Sequence, residues 1–164
     1  MKISFKIVGE KDLKALNDVV NDERVSRYLS LIPPVSMKST QQVWERFRRD
    51  GLIWCSVLVE GVIAGAVLLK LNPKGMKNSH VASLGIDIAR EYWGKGVGEK
   101  AMNYIISVAR KKGVKRLELE YVSGNERARR LYEKVGFKRE GVRRKAFKVK
   151  NRYVDGVTMV RFLR

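Results

Sequence analysis

The chain of 164 residues is 45% hydrophobic and 32% charged, which predicts a single domain, residues 1–164, and excludes a wholly disordered chain. Its formal net charge of +18 is concentrated in residues 110–164, with 19 Lys or Arg and 6 Asp or Glu, a field that attracts polyanions from nucleic acid to phosphorylated cofactors. Charged residues from Lys6 to Asp12 exclude a secretory signal, no apolar run spans a membrane, and the lone Cys55 excludes an internal disulfide, so we expect a cytoplasmic protein.

The N-terminal half predicts a strand, two helices and a hairpin. The assignments rest on alternating and helical spacing of apolar residues. In chain order they are a strand at Ile3–Ile7, a helix at Leu13–Val20, a loop-rich connection at Arg24–Met37, a helix after Ser39, and strands at Ile53–Val59 and Val62–Leu71. The Glu60-Gly61 pair between the last two is a hairpin turn.

The C-terminal half alternates strands with helices and ends in a second hairpin. Its predicted elements are a strand at Val81–Ile88, a helix at Val97–Lys112, a strand at Arg116–Tyr121, a helix from Asn125 to Val135, and strands at Val142–Val149 and Val154–Phe162. Ser123 and Glu126 have capping-box spacing at the start of the second helix. This order predicts an α/β (α+β) fold with a mixed, mostly antiparallel central sheet flanked by helices.

A glycine-rich turn joins the Val81–Ile88 strand to the following helix. It reads Trp93-Gly94-Lys95-Gly96-Val97-Gly98. Glycines at alternate positions leave backbone N–H groups uncovered, and the helix N-terminus adds partial positive charge, so we expect a phosphate site. The spacing does not match a nucleotide P-loop, and the dinucleotide-binding pattern would need glycine or alanine at Glu99.

Together with a second motif, this turn resembles the Gcn5-related N-acetyltransferase (GNAT) family. The family has a Gln/Arg-x-x-Gly-x-Gly/Ala loop followed, after the next strand, by an Asn-x-x-Ala-x-x-Leu-Tyr-x-x-x-Gly-Phe helix. Residues 125–137 match the helix, and the two motifs together cover Val81–Phe137. The chain looks most similar to the subgroup of ribosomal-protein and other protein N-acetyltransferases. It departs from the family at Trp93, where a Gln or Arg side chain would contact phosphate.

The resemblance implies an acetyl-CoA N-acyltransferase fold with acetyl-CoA as cofactor. Backbone groups of Ile86, Asp87 and Ile88 would pair with the pantetheine arm where the next parallel strand splays away, and an N–H near Ile88 would stabilise the oxyanion. The cofactor-binding loop would be Trp93, Gly94, Lys95, Gly96, Val97 and Gly98.

The resemblance also implies catalytic roles for Tyr132 and Glu120 and a cofactor contact for Asn125. Tyr132 matches the tyrosine that protonates the leaving thiolate, although a core aromatic is the alternative interpretation. Asn125 matches a cofactor-contacting asparagine, which could equally cap its helix. Glu120 lies where some protein-N-terminal acetyltransferases place a general base, or it is simply a solvated glutamate. His80 is a weaker candidate for the base, and no metal-site spacing is present.

The predicted reaction is direct transfer of the acetyl group from acetyl-CoA to a primary amine, preferably a protein N-terminus or side chain. The resemblance places the acceptor site in residues 21–49 and 143–153, where a basic rim disfavours a polyamine. The arginines of this rim are Arg24, Arg27, Arg46, Arg48, Arg143 and Arg144. The alternatives are a small-molecule amine, amino-acid-like or antibiotic, and a non-catalytic module that binds CoA or nucleic acid. Expected partners are a protein or ribosomal component, with weak nucleic-acid contact and no membrane, and the chain would be a monomer or homodimer.

Overall fold

The computed structural model describes all 164 residues. The seven strands are β1 (Ile3–Ile7), β2 (Ile53–Val59), β3 (Val62–Leu71), β4 (Val81–Ile88), β5 (Arg116–Val122), β6 (Lys138–Val149) and β7 (Arg152–Phe162). The five α-helices are α1 (Leu13–Asn21), α2 (Glu23–Ser26), α3 (Met37–Arg49), α4 (Val97–Lys111) and α5 (Glu126–Lys134). No helix is both long and apolar enough to cross a membrane.

The strands form one sheet in the order β1-β2-β3-β4-β5-β7-β6, in which only β4 and β5 are parallel. The predicted mixed, mostly antiparallel sheet is therefore confirmed. The β4–β5 ladder joins only Val81–Ser83 to Arg116–Glu118, whereas β4 pairs with β3 as far as Ile88 and β5 pairs with β7 as far as Val122. Beyond the third pair the two parallel strands diverge, and a V-shaped opening separates their C-terminal ends.

Helices cover both faces of the sheet. Helices α4 and α5 pack on one face over the main core, whose fully buried members include Met102, Ile105 and Leu117. Helix α1 covers part of the other face with Leu13 and Leu16. Apolar residues repeat every second position in the strands and every third or fourth in the helices, which gives each element the buried side that its neighbours require.

The structure corrects three details of the predicted helices. A short helix, α2, occupies part of the expected connection because the Asp22 side chain accepts a hydrogen bond from Arg24 N. Helix α3 begins before Ser39, since Ser36 caps it. Helix α5 is capped by Asn125, whose Oδ1 accepts from Ala128 N at 3.2 Å, and not by a Ser123 capping box.

The two predicted hairpins are present. Glu60 and Gly61 have φ of 49° and 83°, the left-handed conformation that a two-residue turn between antiparallel strands requires. In the C-terminal hairpin, β6 begins at Lys138, earlier than predicted, because its first residues pair with the end of β7. This hairpin continues the sheet beyond β5, with β7 next to β5 and β6 at the edge.

Candidate active site

A cavity of about 660 Å³ occupies the opening between β4 and β5. Its volume lies in the range of small-molecule sites, and most of its lining side chains are apolar. One end reaches the glycine turn before α4, and the other extends beneath α1 and α3 to Trp54 and Leu68. The position of the cavity follows from the short β4–β5 ladder. Beyond the third residue pair the two strands move apart, and the space between them is not filled by side chains.

The glycine turn presents unpaired backbone donors to the cavity. The N–H groups from Gly94 to Glu99 form no hydrogen bond within the protein, and the turn ends at Gly96, which precedes α4 with φ of 77°. At Gly98 a side chain would press against Leu131 of α5, so glycine there permits close packing of the two helices. Unpaired N–H groups at a helix N-terminus can bind an anion, so the turn has the donors that the predicted phosphate site requires.

The backbone of β4 faces the opening at alternate residues. Because Ala89 N donates to Ala64 O, alternation along the strand directs Asp87 backbone groups toward β3 and those of Ile86 and Ile88 toward the opening. The Ile88 carbonyl accepts a hydrogen bond of 2.7 Å from Trp93 Nε1. Asp87 therefore contributes its carboxyl group to the cavity, whereas the two isoleucines contribute backbone.

Tyr132 lies on the buried side of α5 and lines the cavity. Its ring packs between Tyr121 and Phe137, with centroids 6.0 and 6.2 Å away. Burial raises the pKa of Tyr132 to about 12, so the phenol keeps its proton at neutral pH. The core and catalytic interpretations of this residue are thus compatible, because the ring is packed while the side chain reaches the cavity wall.

Glu120 of β5 also lines the cavity, and Arg143 restrains it. The Arg143 guanidinium donates to Oε2 at 2.7 Å, whereas Oε1 is buried and has no hydrogen-bond partner. Oε1 lies against Gly156, where the Cβ of any side chain would overlap the carboxylate. A buried oxygen without a donor is costly, so Oε1 is a hydrogen-bond acceptor that the protein leaves unused.

A comparison with protein families matches residues 16–137 to the model described as Acetyltransferase (GNAT) family. The chain belongs to the GNAT family. Membership confirms the predicted fold and the prediction of an enzyme, an N-acetyltransferase that uses acetyl-CoA.

This GNAT protein is similar to a known sequence and to solved structures along almost its whole length. It is 28% identical to the Bacillus subtilis (strain 168) protein named "Putative ribosomal N-acetyltransferase YdaF", over 94% of this chain and 85% of that one. The ribosomal-protein-alanine N-acetyltransferase of Brucella melitensis superimposes with a TM-score of 0.86 at 24% identity, covering 98% and 99% of the two chains. The spermidine N-acetyltransferase of Vibrio cholerae, solved with CoA and spermine, gives 0.85 at 21% identity, covering 98% and 95%.

The Asp87 carboxyl group is the feature of this GNAT site that the sequence did not reveal. Oδ1 accepts a hydrogen bond of 3.2 Å from Ala66 N, which is the one hydrogen bond of this carboxyl group within the protein, and Asp87 lines the cavity. Burial raises the pKa of Asp87 to about 7. The only signal for this carboxyl group in the sequence is the alternation of side chains along β4. It places Asp87 on the face of the sheet opposite that of Leu84 and Ile86, which face the core.

Replacing Asp87 with asparagine should stabilise the protein at alkaline but not at acidic pH. Between pH 4 and 7 the unfolded chain releases the Asp87 proton while the folded chain retains it, so wild-type stability falls as pH rises through this window. Asparagine keeps the acceptor for Ala66 N and cannot ionise. Melting temperatures should therefore agree at about pH 4 and be higher for Asp87→Asn at about pH 8. A constant difference across this range would contradict the raised pKa.

Proposed function

We propose that the protein acetylates the α-amine of a protein or peptide N-terminus, with acetyl-CoA as donor. The observation that carries this proposal is the division of the cavity into two unlike halves. One half ends at the unpaired N–H groups of the glycine turn, which suit a phosphate. The other half, beneath α1 and α3, has uncharged walls.

The donor half fits the chemistry of CoA. The N–H groups of Gly94, Gly96 and Gly98 would hold the diphosphate, with the rest of the turn, Trp93, Lys95 and Val97, as framework. Backbone groups of Ile86 and Ile88 would pair with the amides of the pantetheine arm, and the Ile88 N–H would polarise the thioester carbonyl. Asn125 would border the arm at the start of α5 while it caps the helix.

Apart from Glu120 and Asp87, between which the amine would enter, the acceptor half has no charged side chain from Leu16 to Leu68. Its walls come from Leu16, Val20, Thr40, Val43, Phe47, Trp54 and Leu68. A polyamine needs several carboxylates along its length, and a free amino acid needs a cation for its carboxylate. A peptide N-terminus has one charge, at the reacting amine, followed by neutral backbone and side chain. The uncharged walls therefore support the peptide acceptor.

The predicted basic rim lies outside this cavity. Arg46 pairs with Asp50 at 3.5 Å, Arg48 stacks over Trp44 at 4.8 Å, and Arg143 pairs with Glu120. None of the six arginines of the predicted rim lines the cavity wall. Their charge would act on parts of the acceptor that remain at the surface, in keeping with an extended polypeptide or a ribosomal particle.

The reacting groups meet where β4 and β5 diverge. A protonated amine would enter between the Glu120 and Asp87 side chains, which lie on the same face of the sheet. Glu120 would take the amine proton, directly or through a water, so that the nitrogen can attack the thioester carbon. As the C–S bond breaks, Tyr132 would donate its phenolic proton to the departing thiolate. No acyl-enzyme is required.

Replacing Glu120 with glutamine should make kcat/KM depend on pH in the same way as the fraction of acceptor amine that is unprotonated. An α-amine has a pKa of about 7.7 to 8, so roughly a tenth is unprotonated at pH 7. Without a base only this fraction reacts, and kcat/KM should fall about tenfold at pH 7 and approach the wild-type value near pH 9.

Glu118→Gln is the matched control. Glu118 lies two residues earlier on the same face of β5, but it pairs with Arg116 and does not line the cavity. The dependence of kcat/KM on pH for Glu118→Gln should therefore equal that of wild type. An unchanged profile for Glu120→Gln would transfer the role of base to Asp87 or to water.

A panel of acceptors tests the proposed function. It should contain short peptides with uncharged first residues, the same peptides with blocked N-termini, lysine-containing peptides, spermidine and free alanine. We expect CoA release and addition of one acetyl group only with free peptide N-termini. Spermidine or alanine as the preferred acceptor would contradict the peptide assignment. CoA binding without acetylation of any amine, accompanied by salt-sensitive retention of RNA, would favour the non-catalytic binding module.

A further inference from the structure

An arginine from α5 lies over the first residue of the glycine turn. The Arg127 guanidinium carbon is 3.2 Å from the centroid of the Trp93 indole and 5.7 Å from that of the Tyr28 ring. Trp93 is held in place by its hydrogen bond to the Ile88 carbonyl. Because Trp93 follows β4 and Arg127 follows β5, the stacked pair spans the opening between the diverging strands.

The polar edge of Arg127 has no partner in the protein. Its guanidinium forms no hydrogen bond or ion pair, whereas Arg129 in the same helix pairs with both Glu126 and Glu133. Stacking on an aromatic ring uses the face of a guanidinium and leaves its N–H groups free at the edge. The side chain therefore lines the cavity as an oriented, unneutralised donor of several hydrogen bonds.

We propose that Arg127 binds the diphosphate of acetyl-CoA, together with the N–H groups of the glycine turn. Trp93 is the residue immediately before Gly94, and Arg127 lines the same cavity as Gly94, Gly96 and Gly98 of the turn. A guanidinium binds phosphate oxygens in pairs, and backbone amides alone supply no net charge to match the diphosphate. Trp93 is the platform that orients this cation. The inference depends on acetyl-CoA being the donor in the proposed function.

The test compares CoA with 3′-dephospho-CoA, which keeps the diphosphate and lacks the other phosphate. Arg127→Met preserves an unbranched side chain that can lie on Trp93 but removes the charge and the donors. Calorimetric titration should show affinity lowered roughly 10- to 100-fold, by the same factor for both ligands. Arg130→Met is the matched control, because Arg130 is an exposed arginine one turn further along α5 that does not line the cavity.

Each outcome of the titration has a defined meaning. Equal losses for the two ligands in Arg127→Met, with wild-type affinity in Arg130→Met, support the proposal. A loss for CoA that is larger than for 3′-dephospho-CoA assigns Arg127 to the 3′-phosphate and overturns it. Wild-type affinity in Arg127→Met also overturns it and leaves the donor assignment intact. Failure of the wild-type protein to bind either ligand overturns the proposed donor and this inference together.

Discussion

Replacing Gly96 with leucine should abolish CoA binding in a chain that still folds. Gly96 has φ of 77°, and no protein atom lies within 4 Å of the place that a Cβ would occupy. The leucine side chain would therefore not collide with the protein but would project from the middle of the glycine turn, the proposed phosphate site. Several charge-assisted hydrogen bonds would be lost at about 1.5 to 3 kcal/mol each, so the dissociation constant should rise more than about 1000-fold. Calorimetric titration with CoA measures this loss.

The control for this experiment must carry the same backbone strain elsewhere. Gly75 also has a left-handed conformation, with φ of 86°, and is surrounded by open space, but it does not line the cavity. Leucine at either glycine should cost about 1 kcal/mol of folding free energy. We expect Gly75→Leu to lower the melting temperature about as much as Gly96→Leu while it binds CoA normally. Unchanged affinity in folded Gly96→Leu would refute the assignment of the turn.

Tyr132→Phe should lower kcat by roughly ten- to several-hundred-fold and leave the affinity for acetyl-CoA nearly unchanged. The phenylalanine ring preserves the packing against Tyr121 and Phe137 and removes only the hydroxyl group. Because the pKa of Tyr132 is raised to about 12, its ionisation should not reduce wild-type activity anywhere below about pH 10. Steady-state kinetics across pH, with binding measured separately, distinguishes loss of the acid from loss of the cofactor.

Tyr104→Phe is the corresponding control. Tyr104 lies on α4, stacks on Phe5 with ring centroids 4.2 Å apart, and does not line the cavity. Removal of its hydroxyl should leave kcat unchanged. Equal turnover of wild type and Tyr132→Phe would restore the interpretation of Tyr132 as a packing residue, with the thiolate leaving unprotonated or protonated by water.

The sequence by itself determined most of the elements and the location of the glycine turn at the start of α4. These features depend on residues close together in the chain: the alternation of apolar residues in the strands, the helical spacing in α4 and α5, and glycines where φ is positive. Short elements and caps were harder to predict. Helix α2 depends on one hydrogen bond accepted by the Asp22 side chain, and the cap of α5 depends on one accepted by Asn125. Several polar residues near each helix start could have accepted such a bond instead.

Tertiary structure decided which functional groups meet and how they are neutralised. Glu120 is held by Arg143 across 23 residues of chain, Arg127 of α5 stacks on Trp93 of the glycine turn, and Asp87 lines a cavity that exists because β4 and β5 diverge. Such contacts join residues far apart in sequence, and no local spacing specifies the partner of a charged side chain or its distance from water. The protonation states of Asp87 and Tyr132 follow from that burial, since desolvation is a property of the surroundings and not of the residue itself.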